Sequence, residues 1–180
     1  MTRFGAFFST YFACLGIGLS SAFHPTPWLL WNATASTPVG LYRLHAASAL
    51  HVGDLVAIHL PDGIADQLAR GGYLPRGVPL LKPVAALPGQ TVCRTENTIS
   101  VDGVTRGTAL VRDHLGRPLP VWRGCQTVWP GQVFVMNPDM PTSLDGRYFG
   151  LLPATSVLGR ATPVWTRSAS LLAQPFSRGA

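Results

Sequence analysis

A chain of 180 residues has room for one ordinary domain, or for one domain and a membrane segment. With 47% hydrophobic and only 12% charged residues, disorder over most of the length and a coiled coil are both excluded; 19 Gly and 16 Pro exclude a helical bundle, and three Cys are too few for a disulfide-built scaffold. The net charge of +6 comes from scattered arginines without a basic run, which argues against nucleic acid and fits an exterior near anionic lipid.

The stretch Phe4–Phe23 carries no charge and is long enough, as a helix, to cross a bilayer core. Arg3 before it predicts a cytoplasmic start, and Pro25 and Pro27 end the helix ahead of an interfacial Trp28. A retained anchor is favoured over a removed signal peptide, because Ser21–Ala22–Phe23 offers no clean small-x-small cleavage site. Residues 1–23 are therefore expected to be anchor or signal, and 24–180 an extracytoplasmic domain.

That domain reads as β-rich. Asp54–Leu60 is an apolar run between Gly53 and Pro61. Val92–Arg94 and Thr98–Val101 flank Glu96–Asn97, and Asp102–Gly103 follows, which is hairpin chemistry. Gln132–Met136 stops at Asn137–Pro138, and Val157–Trp165 is a last strand with a bulge at Gly159. One short helix is predicted near Gly63–Arg70, and 166–180 is expected to be a loose tail. Many short strands with turn signals predict a partly closed antiparallel barrel or a sandwich.

One residue count carries chemical information. Thirteen of the 14 basic residues are Arg, and the only Lys is Lys82, inside the apolar run Leu80–Leu87. Arg replaces Lys as a surface cation but does not lose its proton near neutral pH, whereas a buried Lys does. The ordinary alternative is a side chain that snorkels to water. Two further segments group polar residues at turns. Asn32–Tyr42 surrounds Ser36 with small residues and fixes a turn at Pro38 and Gly40. Asn137–Gly150 holds Ser143, Asp145 and Arg147 between two predicted strands.

In this order the three segments resemble the type I signal peptidase family, serine peptidases with a Ser/Lys dyad. Ser36-Thr-Pro38 resembles the nucleophile box, Lys82 to Gly89 the lysine box (with Pro83 where a basic residue is common), and Ser143-Leu-Asp145-Gly-Arg147-Tyr-Phe-Gly150 the last box. Pro38-Val-Gly40-Leu-Tyr42 is closest to the conjugative-transfer peptidases of the TraF type. The resemblance implies a mainly β fold of signal-peptidase-like antiparallel sheets, with an inserted hairpin region over 90–130.

It also implies roles. Ser36 would be the nucleophile and Lys82 its base, with burial lowering the lysine pKa from about 10.4 to roughly 7–8. The Ser36 N–H and the Thr34 hydroxyl would serve the oxyanion, and Ser143 would orient Lys82. Asp145, the position implicated in activity in the TraF type, would pair with Arg147 to hold the last box; Asp139 is a weaker candidate. The expected substrate is a pilin precursor or another membrane-bound preprotein, processed at the bacterial inner membrane with the catalytic domain in the periplasm. A pilin acyl-enzyme would be resolved by water or, giving a cyclic product, by the pilin's own amino terminus. A general leader peptidase and a catalytically silent assembly scaffold are the alternatives. Cys93 and Cys125 would pair in an oxidising compartment. The five histidines show no ligand spacing with cysteine, so no metal or cofactor is expected.

Overall fold

The computed structural model describes residues 3–22 and 28–167. The expected helix-ending prolines, Pro25 and Pro27, and the tail beyond Arg167 lie outside them.

The uncharged stretch forms a helix, α1 (Arg3–Ala22), with its side chains exposed from Arg3 to Ser20. Among the described residues no helix is long and apolar enough to cross a membrane, so the expected crossing is not shown.

Beyond α1 the chain is mainly β. In order come β1 (Leu29–Asn32), β2 (Gly40–His45), β3 (Leu55–Ile58), α2 (Asp62–Arg70), β4 (Leu80–Ala86), β5 (Thr91–Thr95), β6 (Thr98–Val101), β7 (Val104–Thr108), β8 (Gly124–Thr127), β9 (Gln132–Val135), α3 (Gly146–Phe149), β10 (Leu152–Pro153) and β11 (Val157–Thr166). All pairings are antiparallel and build two sheets, β1-β2-β11-β3-β4-β9-β10 and β7-β6-β5-β8. The expected mainly β, antiparallel fold is observed, and the four-residue β1 and two-residue β10 form the edges of the larger sheet.

Turn chemistry sets the small sheet. Asp102 and Gly103 both take positive φ between β6 and β7, the backbone that a two-residue hairpin demands. Cys93 and Cys125 face each other in register on β5 and β8 and are bonded. At the end of the chain, the register of β11 on β3 shifts between Val157 and Gly159, the expected bulge.

Strand alternation positions the lysine. Leu80 and Val84 of β4 enter a core with Val56, Ile58, Val133 and Leu68 of α2, while Leu81 packs on the opposite face with Tyr42, Ala57 and Ala161. A side-chain period of two puts Lys82 on the Leu80–Val84 face. Each buried aliphatic there contributes roughly 1.5–3 kcal/mol, so that wall is fixed by the core itself. A second core of Val92, Ile99, Val101, Phe134 and Met136 joins the small sheet to β4 and β9.

Candidate active site

Ser36 sits in the loop between β1 and β2, which Asn32 organises from within. The Asn32 side chain is 7% exposed, and its Nδ2 donates to the carbonyls of Thr34 (2.9 Å), Thr37 (2.9 Å) and Pro38 (3.2 Å). Its Oδ1 accepts from the Thr34 N–H at 3.1 Å and the Thr34 hydroxyl at 2.8 Å. Tyr42 Oη donates to the Pro38 carbonyl at 2.6 Å, and Thr37 Oγ1 to the Leu81 carbonyl of β4 at 3.3 Å. Asn137 Nδ2 donates to the Ser36 carbonyl at 2.6 Å. The loop carbonyls thus turn inward, while among the described residues the N–H groups of Ala35 and Ser36 take no hydrogen-bond partner. Gly40 ends the loop because β11 lies against it: a Cβ there would sit 2.1 Å from the Trp165 carbonyl oxygen.

Lys82 reaches this loop from β4. It is 1% exposed, and its Nζ lies 2.5 Å from Ser36 Oγ. Burial pushes its pKa down from 10.5 to about 8; Asp145 opposes that shift and Arg147 adds to it. Among the described residues no carboxylate forms an ion pair with Lys82. The amine is therefore close to its neutral form at mildly alkaline pH and already bonded to a hydroxyl.

Asp145 and Arg147 form a fully buried pair, Nε to Oδ1 at 3.1 Å. Asp145 Oδ1 also accepts from the Arg147 N–H at 3.2 Å, capping α3, and Oδ2 accepts from the Asn137 N–H at 3.0 Å. Arg147 Nη2 donates to the carbonyls of Asn137 and Met140, and Nη1 to that of Pro141 at 2.9 Å. Placed as a catalytic candidate by sequence, Asp145 touches neither Ser36 nor Lys82; its oxygens are spent on the loop that faces them.

Two further residues were expected to act at the dyad. The Thr34 hydroxyl has one hydrogen, and Asn32 Oδ1 takes it, so Thr34 is a loop brace 3.4 Å from Ser36 Oγ and not a free oxyanion donor. Ser143 is buried and lines the cavity that holds Lys82, and among the described residues its Oγ makes no hydrogen bond. Asp139 is exposed at the rim, its N–H bonded to Asn137 Oδ1 at 3.1 Å. Asn32 and Asn137, which carry no role in the sequence reading, hold the nucleophile loop. Their signal was faint, since both act on main-chain carbonyls.

Ser36 stands between two cavities. One of about 220 Å³ holds Lys82 and is walled by Leu68, Leu74, Leu80 and Leu144. The other, about 490 Å³, is lined by Ala33, Ala35, Val39, Asn137 and Met140 among others. Ala35, Ser36 and Met140 border both, so the two form one furrow with the hydroxyl near its middle. Among the described residues no group of His, Cys, Asp or Glu is arranged to hold a metal.

A hydroxyl beside a buried amine is a pair chemically able to carry acyl transfer. The family model described as "Signal peptidase, peptidase S26" matches residues 1–166. The chain is 36% identical over 145 residues to the "Conjugal transfer protein TraF" of Agrobacterium fabrum, covering 75% of this chain and 81% of the relative. It is 32% identical over 145 residues to the "Plasmid transfer protein TraF" of Escherichia coli, with the same coverage. A solved signal peptidase I from Enterococcus faecalis V583 is 23% identical with a TM-score of 0.38, covering 64% of this chain and 98% of that one. The chain belongs to the signal peptidase family, peptidase S26, and so to the serine peptidases that act on preproteins.

Proposed function

We propose that the chain is a serine endopeptidase with a Ser36–Lys82 dyad, processing a conjugative pilin precursor through an acyl-enzyme. The observation that carries this reading is the buried Lys82 amine, its pKa lowered to about 8, 2.5 Å from Ser36 Oγ. In its charged form the amine donates to Oγ. After loss of one proton it becomes the acceptor, which is the state that activates a hydroxyl.

Ser36 Oγ then attacks the substrate carbonyl while its proton passes to Lys82 Nζ. The Ser36 N–H, unpartnered in the loop, meets the developing oxyanion. Collapse of the tetrahedral species breaks the peptide bond, and the Lys82 ammonium returns the proton to the departing amine. The ester left on Ser36 is attacked by water, or by the amino terminus of the pilin itself, with Lys82 again taking the proton. Asp145 and Arg147 support the wall facing the dyad, and the furrow holds the substrate as an extended segment with small side chains.

The conjugative role is supported by the names of the TraF relatives. Membrane-associated work in the periplasm is supported by the exposed Phe4, Phe7, Phe8, Phe12, Ile17 and Leu19 of α1, by the exposed Trp28, Trp31 and Trp165, and by the Cys93–Cys125 bond.

The test is to incubate the protein, and its Ser36→Ala and Lys82→Ala variants, with the pilin precursor and weigh the products. Processing by wild type alone supports the dyad. A product one water lighter than the linear peptide identifies cyclisation. Processing at wild-type rate by Lys82→Ala contradicts the dyad, and cleavage of unrelated preproteins but not the pilin favours a general leader peptidase.

A further inference from the structure

Asn137 spends every polar group it has on the site. Its N–H donates to Asp145 Oδ2, its carbonyl accepts from Arg147 Nη2, its Oδ1 accepts from the Asp139 N–H, and its Nδ2 donates to the Ser36 carbonyl at 2.6 Å. The last bond joins residues 101 positions apart, from the wall of the larger cavity to the nucleophile itself.

The consequence is geometric. Asn32 fixes the carbonyls of Thr34, Thr37 and Pro38, but not that of Ser36. Without Asn137, the peptide plane between Ser36 and Thr37 has no side-chain restraint. That leaves ψ of Ser36 unrestrained, the torsion about which Oγ and the Ser36 N–H turn relative to Thr37 and the rest of the loop. A displacement of about 1 Å at a reacting atom costs on the order of 100-fold in rate. On the other side of Asn137 stands the buried Asp145–Arg147 pair, whose further hydrogen bonds run to the main chain of Asn137, Met140 and Pro141.

We propose that Asn137 is a positioning residue for Ser36: it couples the buried Asp145–Arg147 pair to the nucleophile's carbonyl, keeping Oγ within reach of Lys82 and the N–H turned toward the substrate. The proposal rests on Ser36 and Lys82 being the reacting pair. It gives the buried pair, which touches no reacting atom, a route to the chemistry.

The test compares the full chain with Asn137→Ala, Asn137→Asp and Ser36→Ala, using a quenched fluorescent peptide with alanine at the first and third positions before the cut. Asn137→Asp keeps the size and the Oδ1 acceptor but loses the donor to Ser36. Both Asn137 variants are expected to lose about 30- to 100-fold in kcat, with KM within threefold of wild type. Asn137→Ala is expected to keep the wild-type pH profile, because the burial of Lys82 does not depend on this side chain. Asn137→Asp places a carboxylate in the cavity wall, and its profile is expected to move to higher pH. A merely structural role would lower activity only in step with the folded fraction. Wild-type kcat in either variant, or a loss confined to KM, overturns the proposal. So does failure of both to fold, since the main-chain bonds to Asp145 and Arg147 need no Asn137 side chain. Activity surviving in Ser36→Ala would overturn the dyad instead, a result the Asn137 variants do not mimic.

Discussion

Arg94 on β5 donates from Nη1 to the main-chain carbonyl of Arg147 at 2.6 Å, and both guanidinium groups are buried to within 1% of full. The small sheet is thereby bonded to the one-turn helix that supports the active-site loop. Arg94 also donates to the carbonyls of Glu96 and, at 3.4 Å, Pro120, and among the described residues it forms no ion pair. Arg94→Ala strands three carbonyls and opens a cavity, so a loss of about 3–4 kcal/mol is expected in urea unfolding. Activity should fall further than stability predicts, because α3 carries Arg147.

Gly146 is required by packing. A Cβ at this position would meet Phe134 Cε2 at 2.5 Å and the Val135 carbonyl oxygen at 2.6 Å. The second of these is backbone and cannot rotate away. Gly146→Ala is expected to destabilise by about 2–3 kcal/mol and to push Asp145 and Arg147 off their partners. Differential scanning calorimetry and peptide cleavage on one sample would check both effects.

Much of this was legible in the sequence, and what was not has physical reasons. β3, β5, β6, β9 and β11 announce themselves by apolar runs between turn residues. β4 did not read as a strand because Pro83 sits in its middle; Pro83 stays in register with Leu55 of β3, and on its other side, past the end of β9 at Val135, its carbonyl accepts from the Met136 N–H at 3.1 Å. β7 and β8 are nearly devoid of apolar residues, with Val-Thr-Arg-Gly-Thr and Gly-Cys-Gln-Thr, and are defined by pairing alone. Lys82 stood out because a lone lysine in an apolar run is a chemical oddity, and Ser36 because small residues surround it and Ser36-Thr-Pro38 resembles a nucleophile box. Asn32 and Asn137 did not, because an amide that holds distant carbonyls leaves no local pattern.

The Cys93–Cys125 bond closes a loop of 32 residues across β5 and β8. Its removal should cost about 3–4 kcal/mol through the entropy returned to the unfolded chain. Because β5 carries Arg94, reduction is also expected to loosen the support of Arg147. Unfolding with and without dithiothreitol, followed beside cleavage rate, would register both.

The sign of the lysine's effect on stability is fixed by its lowered pKa. The folded amine holds its proton up to about pH 8, the unfolded one up to 10.5. Between those values the unfolded chain binds more protons, so stability rises with pH; below about 8 the cost of the buried charge is fully present. Lys82→Met carries no such cost. It should exceed wild type by on the order of 2–3 kcal/mol at pH 7, with the gap closing from pH 8 to 10.5. Paired denaturation curves across that range would show it.

The most direct measurement uses the fact that Lys82 is the only lysine. Labelling the chain with lysine enriched in ¹³C at Cε gives a single side-chain resonance, whose shift follows the charge on Nζ without ambiguity. The account predicts a midpoint near 8, with peptide-cleavage kcat/KM rising along the same curve. A midpoint at 10.5 or above, or a cleavage profile indifferent to that titration, would contradict it.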